Sequence, residues 1–386
     1  MEYNCFVEFL DKKGEGKIVL GDDELCCILA LDEFAVPYTD ITSIEIVNYK
    51  LIVKTEQNIL TIGQLGFQMT PAYEQLYERY NETVLKAFFI DETPLLEVSG
   101  EYRYSDEAGT SEGTGAIKLF ERCLCILPPN DCGRRIPLCF LRSINKGNYQ
   151  VKFTLDTGET YELLRLGWDT ESFETKLSEC MNRIRQNAIN AALAVDPTLN
   201  TMQSSGIAKL MPEGVAAPMG ELSSISPSFS AAIEEKIKNS RAADTYLHFK
   251  EICAPGEILA GTKSYLAGED QKDILWIVAP KQKENGGVAA LEMALSEDSS
   301  AATYVYRFTG GWNAFAMRLN HAIEAVSFRR EVIYLSDGDL ERKENALYKM
   351  AVKRTPALQF LRKSLDGRVI HRTLESWKKD LDAKFE

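Results

Sequence analysis

One stretch of this chain occurs at least twice, and that repetition limits its possible folds more than any other feature. Val36, Pro37, Tyr38, Ile44, Tyr49, Leu51 and Val53 find identical or similar residues in Ile136, Pro137, Leu138, Ile144, Tyr149, Val151 and Phe153, each pair 100 positions apart. Upstream, Ile18, Leu20, Leu25 and Cys26 match Ile117, Leu119, Leu124 and Cys125 at a spacing of 99. Downstream, Leu65, Gly66 and Leu76 match Leu166, Gly167 and Leu177 at 101. The spacing thus drifts by one residue at two places. Such insertions belong in loops, since one extra residue inside a strand would swap its faces.

Within the second repeat, Tyr149, Val151, Phe153 and Leu155 alternate with Gln150, Lys152 and Thr154, as in a strand with one buried face. Asp156-Thr157-Gly158-Glu159 is a hairpin signal. Tyr161 and Leu163 return on the next strand. The period then becomes helical, with Phe173, Leu177, Cys180, Met181 and Ile184 on one stripe. In the first repeat Tyr73, Leu76, Tyr77, Tyr80 and Val84 form the matching stripe, with Pro71 in its first turn. A fainter third repeat is confined to its end, where Phe308, Phe315 and Leu319 match Leu166, Phe173 and Leu177 at 142. Strands are expected before it at Ile274–Val278, Val288–Leu295 and Thr303–Phe308.

Short antiparallel strands closed by one amphipathic helix resemble the pleckstrin-homology-like (PH-like, GRAM-like) superfold. The resemblance rests on Gly115–Leu166 with the helix Phe173–Ile184, and on the twin Gly16–Tyr80. It implies an α+β protein of tandem PH-like modules, each an antiparallel split barrel closed by a C-terminal helix, with a possible third degenerate copy and a helical tail. The superfold hosts lipid, peptide and structural roles, so it does not assign a function.

The expected domains are module 1 at 1–93, module 2 at 94–195, a linker with a short helix at 196–243, a possible third module at 244–328, and a basic, mainly helical tail at 329–386. The linker reading follows from the Ser, Gly, Met, Ala and Pro content of Thr198–Pro227. Thr373 is the expected cap of a last helix containing Leu374, Trp377 and Leu381.

A net charge of -13 argues against a general nucleic-acid binder, which needs a basic face. No apolar run reaches membrane-spanning length, and the first residues lack the layout of a signal peptide, so a cytoplasmic protein is expected. Nine cysteines, an odd number, are read as core and surface thiols. Cys123, Cys125, Cys132 and Cys139 lack the paired spacing of a zinc site. His248, His321 and His371 stand far apart, and no nucleophile elbow, Walker loop or dinucleotide fingerprint appears. Gly310-Gly311-Trp312 reads as a tight turn before a helix. No cofactor, metal or catalytic residue is expected.

Two basic groups are candidates for binding. Lys12, Lys13 and Lys17 lie in an expected first turn, Asp11–Lys17, where some PH domains hold lipid headgroups, with Asp11 and Glu15 diluting the charge. Lys349, Lys353, Arg354, Arg362 and Lys363 lie in the tail and suit an acidic partner, phosphates, or the acidic N-terminal half of the same chain. The expected function is a non-catalytic interaction or scaffold protein that binds a protein or peptide. A peripheral membrane or anionic-lipid binder is the alternative, and an enzyme with an unfamiliar site in the C-terminal half is the third reading.

Overall fold

Alternating burial carries each repeat through seven strands. In the computed structural model the first repeat comprises β1 (Glu2–Phe9), β2 (Lys12–Leu20), β3 (Glu24–Leu29), β4 (Glu33–Pro37), β5 (Ile41–Val47), β6 (Lys50–Thr55) and β7 (Ile59–Gly63), followed by helix α1 (Met69–Ala87). The second comprises β8 (Leu96–Asp106), β9 (Gly109–Leu119), β10 (Cys123–Leu127), β11 (Arg134–Pro137), β12 (Leu141–Gly147), β13 (Gln150–Leu155) and β14 (Thr160–Leu164), followed by α2 (Thr170–Val195). All residues are described except Asn148, 268–269, 295–301 and Phe328, together with the side chains of 264–273. Asn148 in the expected turn and the segment ends at Leu295 and Phe328 therefore lie outside the described residues.

The two sheets share one antiparallel order. The first runs β4-β3-β2-β1-β7-β6-β5 and the second β11-β10-β9-β8-β14-β13-β12, so the first strand of each repeat is central and bonds to the last. Even the irregularities coincide. β5 pairs with β6 through a register shift between Ile41 and Ser43, and β12 pairs with β13 through one between Leu141 and Ser143. In the first repeat Leu51, Val53, Leu60 and Ile62 point inward and meet Ala72, Leu76 and Tyr80 of α1, all fully buried. Each large apolar side chain removed from water in this way contributes about 1.5–3 kcal/mol.

The rest of the chain supplies α3 (Thr201–Leu210), β15 (Ala217–Pro218), α4 (Met219–Ile225), α5 (Pro227–Lys238), α6 (Ala243–Ile252), β16 (Leu259–Ala267), β17 (Asp270–Lys283), β18 (Gly286–Ala294), β19 (Ala302–Thr309), α7 (Trp312–Ala325), α8 (Glu331–Tyr334), α9 (Asp337–Leu340), α10 (Ala346–Arg354), α11 (Pro356–Ser364), β20 (Leu365–Ile370) and α12 (Leu374–Phe385). The chain divides into two compact units. Unit 1 is Met1–Pro137, Leu141–Glu174 and Ala325–Pro356; unit 2 is Leu138–Phe140, Thr175–Glu324 and Ala357–Glu386. Unit 2 has its own antiparallel sheet, β15-β16-β17-β18-β19-β20, and its own core of Phe229, Ile233, Phe249, Ile277, Val305 and Trp377 among others.

Four expectations change against these coordinates. The stretch expected as a possible third module does not repeat the strand order of the first two, because the unit 2 sheet follows chain order and its first strand does not bond its last. The stretch expected as a linker with one short helix carries, besides that helix at α5, the helices α3 and α4. Asn200 caps α3 in a reciprocal box with Gln203, and Ile207 and Leu222 are buried in the core. Its prolines start helices rather than loosen the chain. The expected turn Asp11–Lys17 is mostly strand, since Phe9 already pairs with Lys12 across Leu10-Asp11. Its glycines misled: a Cβ on Gly16 would lie 2.2 Å from the Ile28 carbonyl oxygen, and one on the matching Gly115 2.9 Å from that of Leu127. Both mark a close strand approach inside a sheet. Finally, the tail does not stay in one body, because α8 to α10 belong to unit 1 and α11, β20 and α12 to unit 2.

Candidate interaction site

The site with the most defined geometry lies where the second repeat reaches the first. β5 is an edge strand, so the outward backbone groups of one side need partners from elsewhere. They find them in the loop between β10 and β11. The Ile44 N–H donates to the Pro129 carbonyl at 2.8 Å, and the Asp131 N–H donates to the Thr42 carbonyl at 3.0 Å. Ser43 and Asn130 stand opposite each other in an isolated antiparallel bridge. Residues 129–131 thus extend the first sheet by a short added strand.

Two tyrosines of α1 hold this segment. The Tyr80 hydroxyl donates to the Asn130 carbonyl at 2.7 Å. The Tyr77 hydroxyl donates to the Leu127 carbonyl and accepts from the Ala116 N–H at 3.0 Å. Burial pushes both phenols up from their ordinary pKa, so they serve as neutral donors. The helical stripe did flag these residues, but it could not reveal that their polar tips meet the other repeat.

Over the same helix lies α10, which carries three of the five tail candidates. Arg354 is 3% exposed and donates to the Tyr80 hydroxyl at 2.7 Å. Lys349 bonds Glu341 at 2.6 Å and reaches Glu56 at 3.4 Å, and Lys353 also pairs with Glu56. Burial, then the neighbouring Arg354 charge, lowers the Lys353 pKa. Met350 enters the core of unit 1. These cations therefore face the acidic first repeat of their own chain. Between them and the first sheet is a cleft of about 1160 Å³ lined by both signs of charge, including Asp22, Asp40, Glu56, Asp131, Lys349 and Arg354. Arg362 and Lys363 sit in the last turn of α11, in unit 2.

The three N-terminal lysines are not brought together. Lys12 pairs with Asp32 at 3.3 Å, Lys13 with Glu8 at 3.3 Å and Lys17 with Glu2 at 2.7 Å. As neighbours in a strand, Lys12 and Lys13 point to opposite faces, over Phe34 and Phe6 respectively.

The edge of the second sheet differs from that of the first. β12 corresponds to β5 residue for residue, yet among the described residues no backbone group pairs with its outer side. Ile41 and Ile44 are each 1% exposed, whereas their counterparts Leu141 and Ile144 are only partly buried. Arg142, at the position of Thr42, is exposed and has no ion pair among the described residues.

Unit 2 holds a polar knot around buried Trp377. The indole N–H donates to Thr303 Oγ1 at 2.9 Å, the Thr303 hydroxyl donates to Glu292 at 2.6 Å, and His371 Nε2 lies 3.1 Å from Glu292. His248 meets the indole edge-on and contacts Asp382 at 2.8 Å and Glu251 at 3.0 Å. His321 stacks on Phe140 at 3.8 Å. Thr303, the one hydroxyl in the knot, is 0% exposed, so the arrangement fixes α12 without presenting a nucleophile. Gly311 and Trp312 line a separate cleft of about 580 Å³ with Glu221, Glu257 and Gln282. Among the described residues no group of three or more His, Cys, Asp or Glu is placed to hold a metal. The nine cysteines are thiols not joined in disulfides, and burial pushes Cys5 up to about 11 and Cys27 to about 12. Among the described residues no helix is long and apolar enough to cross a membrane.

No protein-family model matches the chain, and no curated protein matches it.

Proposed function

We propose that this chain is a non-catalytic interaction protein built on two PH-like modules, which engages extended protein segments by adding them as strands to a sheet edge. The observation that carries this reading is the pairing of residues 129–131 with β5, because the chain already uses a module edge as a receptor for an extended segment. The seven-strand order shared by the two repeats, with a helix after each, supports the PH-like assignment. Backbone pairing supplies affinity with little demand on sequence, and side chains beside the edge then select the partner.

The test is capture by the immobilised full-length chain from an extract of its own cells, at several salt concentrations, with sedimentation of the pure chain beside it. Specific capture that excess free chain competes away, or self-association, is the expected result. Absence of both overturns the reading. Flotation with vesicles of neutral and of anionic lipid runs in parallel. Salt-sensitive binding to the anionic vesicles alone would favour a lipid surface instead.

A further inference from the structure

The junction between the repeats is a head-to-tail contact. A loop of the second repeat is the donor and the edge of the first is the acceptor. Each repeat has both parts, so the junction leaves one donor and one acceptor unused. The unused acceptor is β12. The unused donor is the turn between β3 and β4, where Ala30, Leu31 and Asp32 correspond to Pro129, Asn130 and Asp131 at the 99-residue spacing. We propose that a second copy of this chain inserts Ala30–Asp32 against β12, so that copies join head to tail. This rests on the strand-addition reading above and names its partner.

The exposed turn supplies the groups such a contact needs. Leu31 is 97% exposed at the tip of a tight hairpin. The turn is closed by a bond from the Leu29 N–H to the Asp32 carbonyl at 2.8 Å, and among the described residues the Asp32 N–H and Ala30 carbonyl have no backbone partner. Those are the two groups equivalent to the Asp131 N–H and Pro129 carbonyl that bond β5. Across the contact, the Ala30 carbonyl accepts from the Ile144 N–H and the Asp32 N–H donates to the Arg142 carbonyl. Leu31 then stands opposite Ser143, as Asn130 stands opposite Ser43.

Charge selects the same register. In the known junction Asp131 stands opposite Thr42, and in the new one Asp32 stands opposite Arg142, where side chains share a face. Asp32 must exchange its present partner Lys12, a solvent-exposed pair at 3.3 Å that contributes little. After one contact each copy still has a donor or an acceptor unused, so the contact continues from copy to copy unless two copies exchange both reciprocally.

Sedimentation of the full chain from about 1 µM to about 1 mM tests this, since a short edge contact is weak. The weight-average mass should rise continuously past that of a dimer. Asp32→Lys and Arg142→Glu should each weaken association at least about tenfold, a change of the size expected for reversing one partner of a close charge pair. Both sites are exposed, and Glu92→Lys at a distant exposed position controls for net charge. An equimolar mixture of the two variants restores a complementary charge pair at every contact between unlike chains and should assemble past dimers, unlike either variant alone. The doubly swapped chain, Asp32→Lys with Arg142→Glu, should assemble again. A chain monomeric at about 1 mM, or single variants that assemble like the parent, would overturn the inference. Partner capture that persists in Arg142→Glu would leave the interaction reading standing while this edge contact fell.

Discussion

Replacing Tyr80 by Phe removes one oxygen at the point where α1, the 129–131 segment and α10 meet. The ring is 0% exposed, so the cavity left is very small and the cost is polar. The Asn130 carbonyl loses its 2.7 Å donor, worth about 0.5–1.5 kcal/mol, and the Arg354 guanidinium loses a 2.7 Å acceptor, worth about 1.5–3 kcal/mol for a charged group. Arg354 is itself 3% exposed and cannot turn to water. Unit 1 should therefore lose about 2–4 kcal/mol. Arg354→Met in the same background should recover about 1–2 kcal/mol of that, because no buried charge is then left unpaired. With two units present, bulk unfolding is a poor measure. Native-state hydrogen exchange of the slow amides of β6 and β7 reads unit 1 directly. A drop below about 0.5 kcal/mol for Tyr80→Phe would refute the reasoning, as would an Arg354→Met effect that simply adds.

Other consequences are separable. Gly16→Ala should destabilise unit 1 by about 1–3 kcal/mol, since its new Cβ would sit 2.2 Å from a carbonyl oxygen, and Gly14→Ala, with nothing within 4 Å, should cost much less; native-state hydrogen exchange of the same slow unit 1 amides decides. In unit 2 the Lys250 ammonium, bonded at 2.7 Å, holds the Glu234 carboxyl below its ordinary pKa. Its contribution is thus present above the ordinary carboxylate range and lost as pH falls through the lowered value. Glu234→Gln should flatten that acid limb, and at neutral pH it should cost about 1 kcal/mol or less, since water still reaches this partly buried pair. A thiol reagent should leave Cys5, Cys27 and Cys125 unmodified in the folded chain while the partly exposed Cys132 reacts; mass spectrometry of the labelled peptides checks this.

Much of the first half was legible because strand alternation and repetition reinforce each other. Tyr149 to Leu155 shows its buried face in the residue pattern, and the same pattern recurs 100 residues away. The glycines of β2 and β9 were not legible as strand residues, since close packing of a neighbouring backbone leaves no mark in a single strand's sequence. Likewise the prolines after Thr198 suggested looseness, although each stands where a helix begins. The partner of Arg354 could not be read, being 274 residues away. The junction did leave one signal. The drift from 99 to 100 falls between Cys125 and Ile136, the stretch that holds the loop between β10 and β11. The insertion pointed to a loop; only the coordinates showed that the loop pairs with the other repeat.

The account depends on one edge being filled and its twin being open. Residue-resolved hydrogen exchange of the dilute chain compares them directly, because Ile44 and Ile144 occupy equivalent positions. The Ile44 amide, bonded to Pro129, should exchange with the slow amides of unit 1, and the Ile144 amide should exchange quickly and slow as concentration rises. Equal protection of both amides in the dilute monomer, or rapid exchange at Ile44, would contradict it.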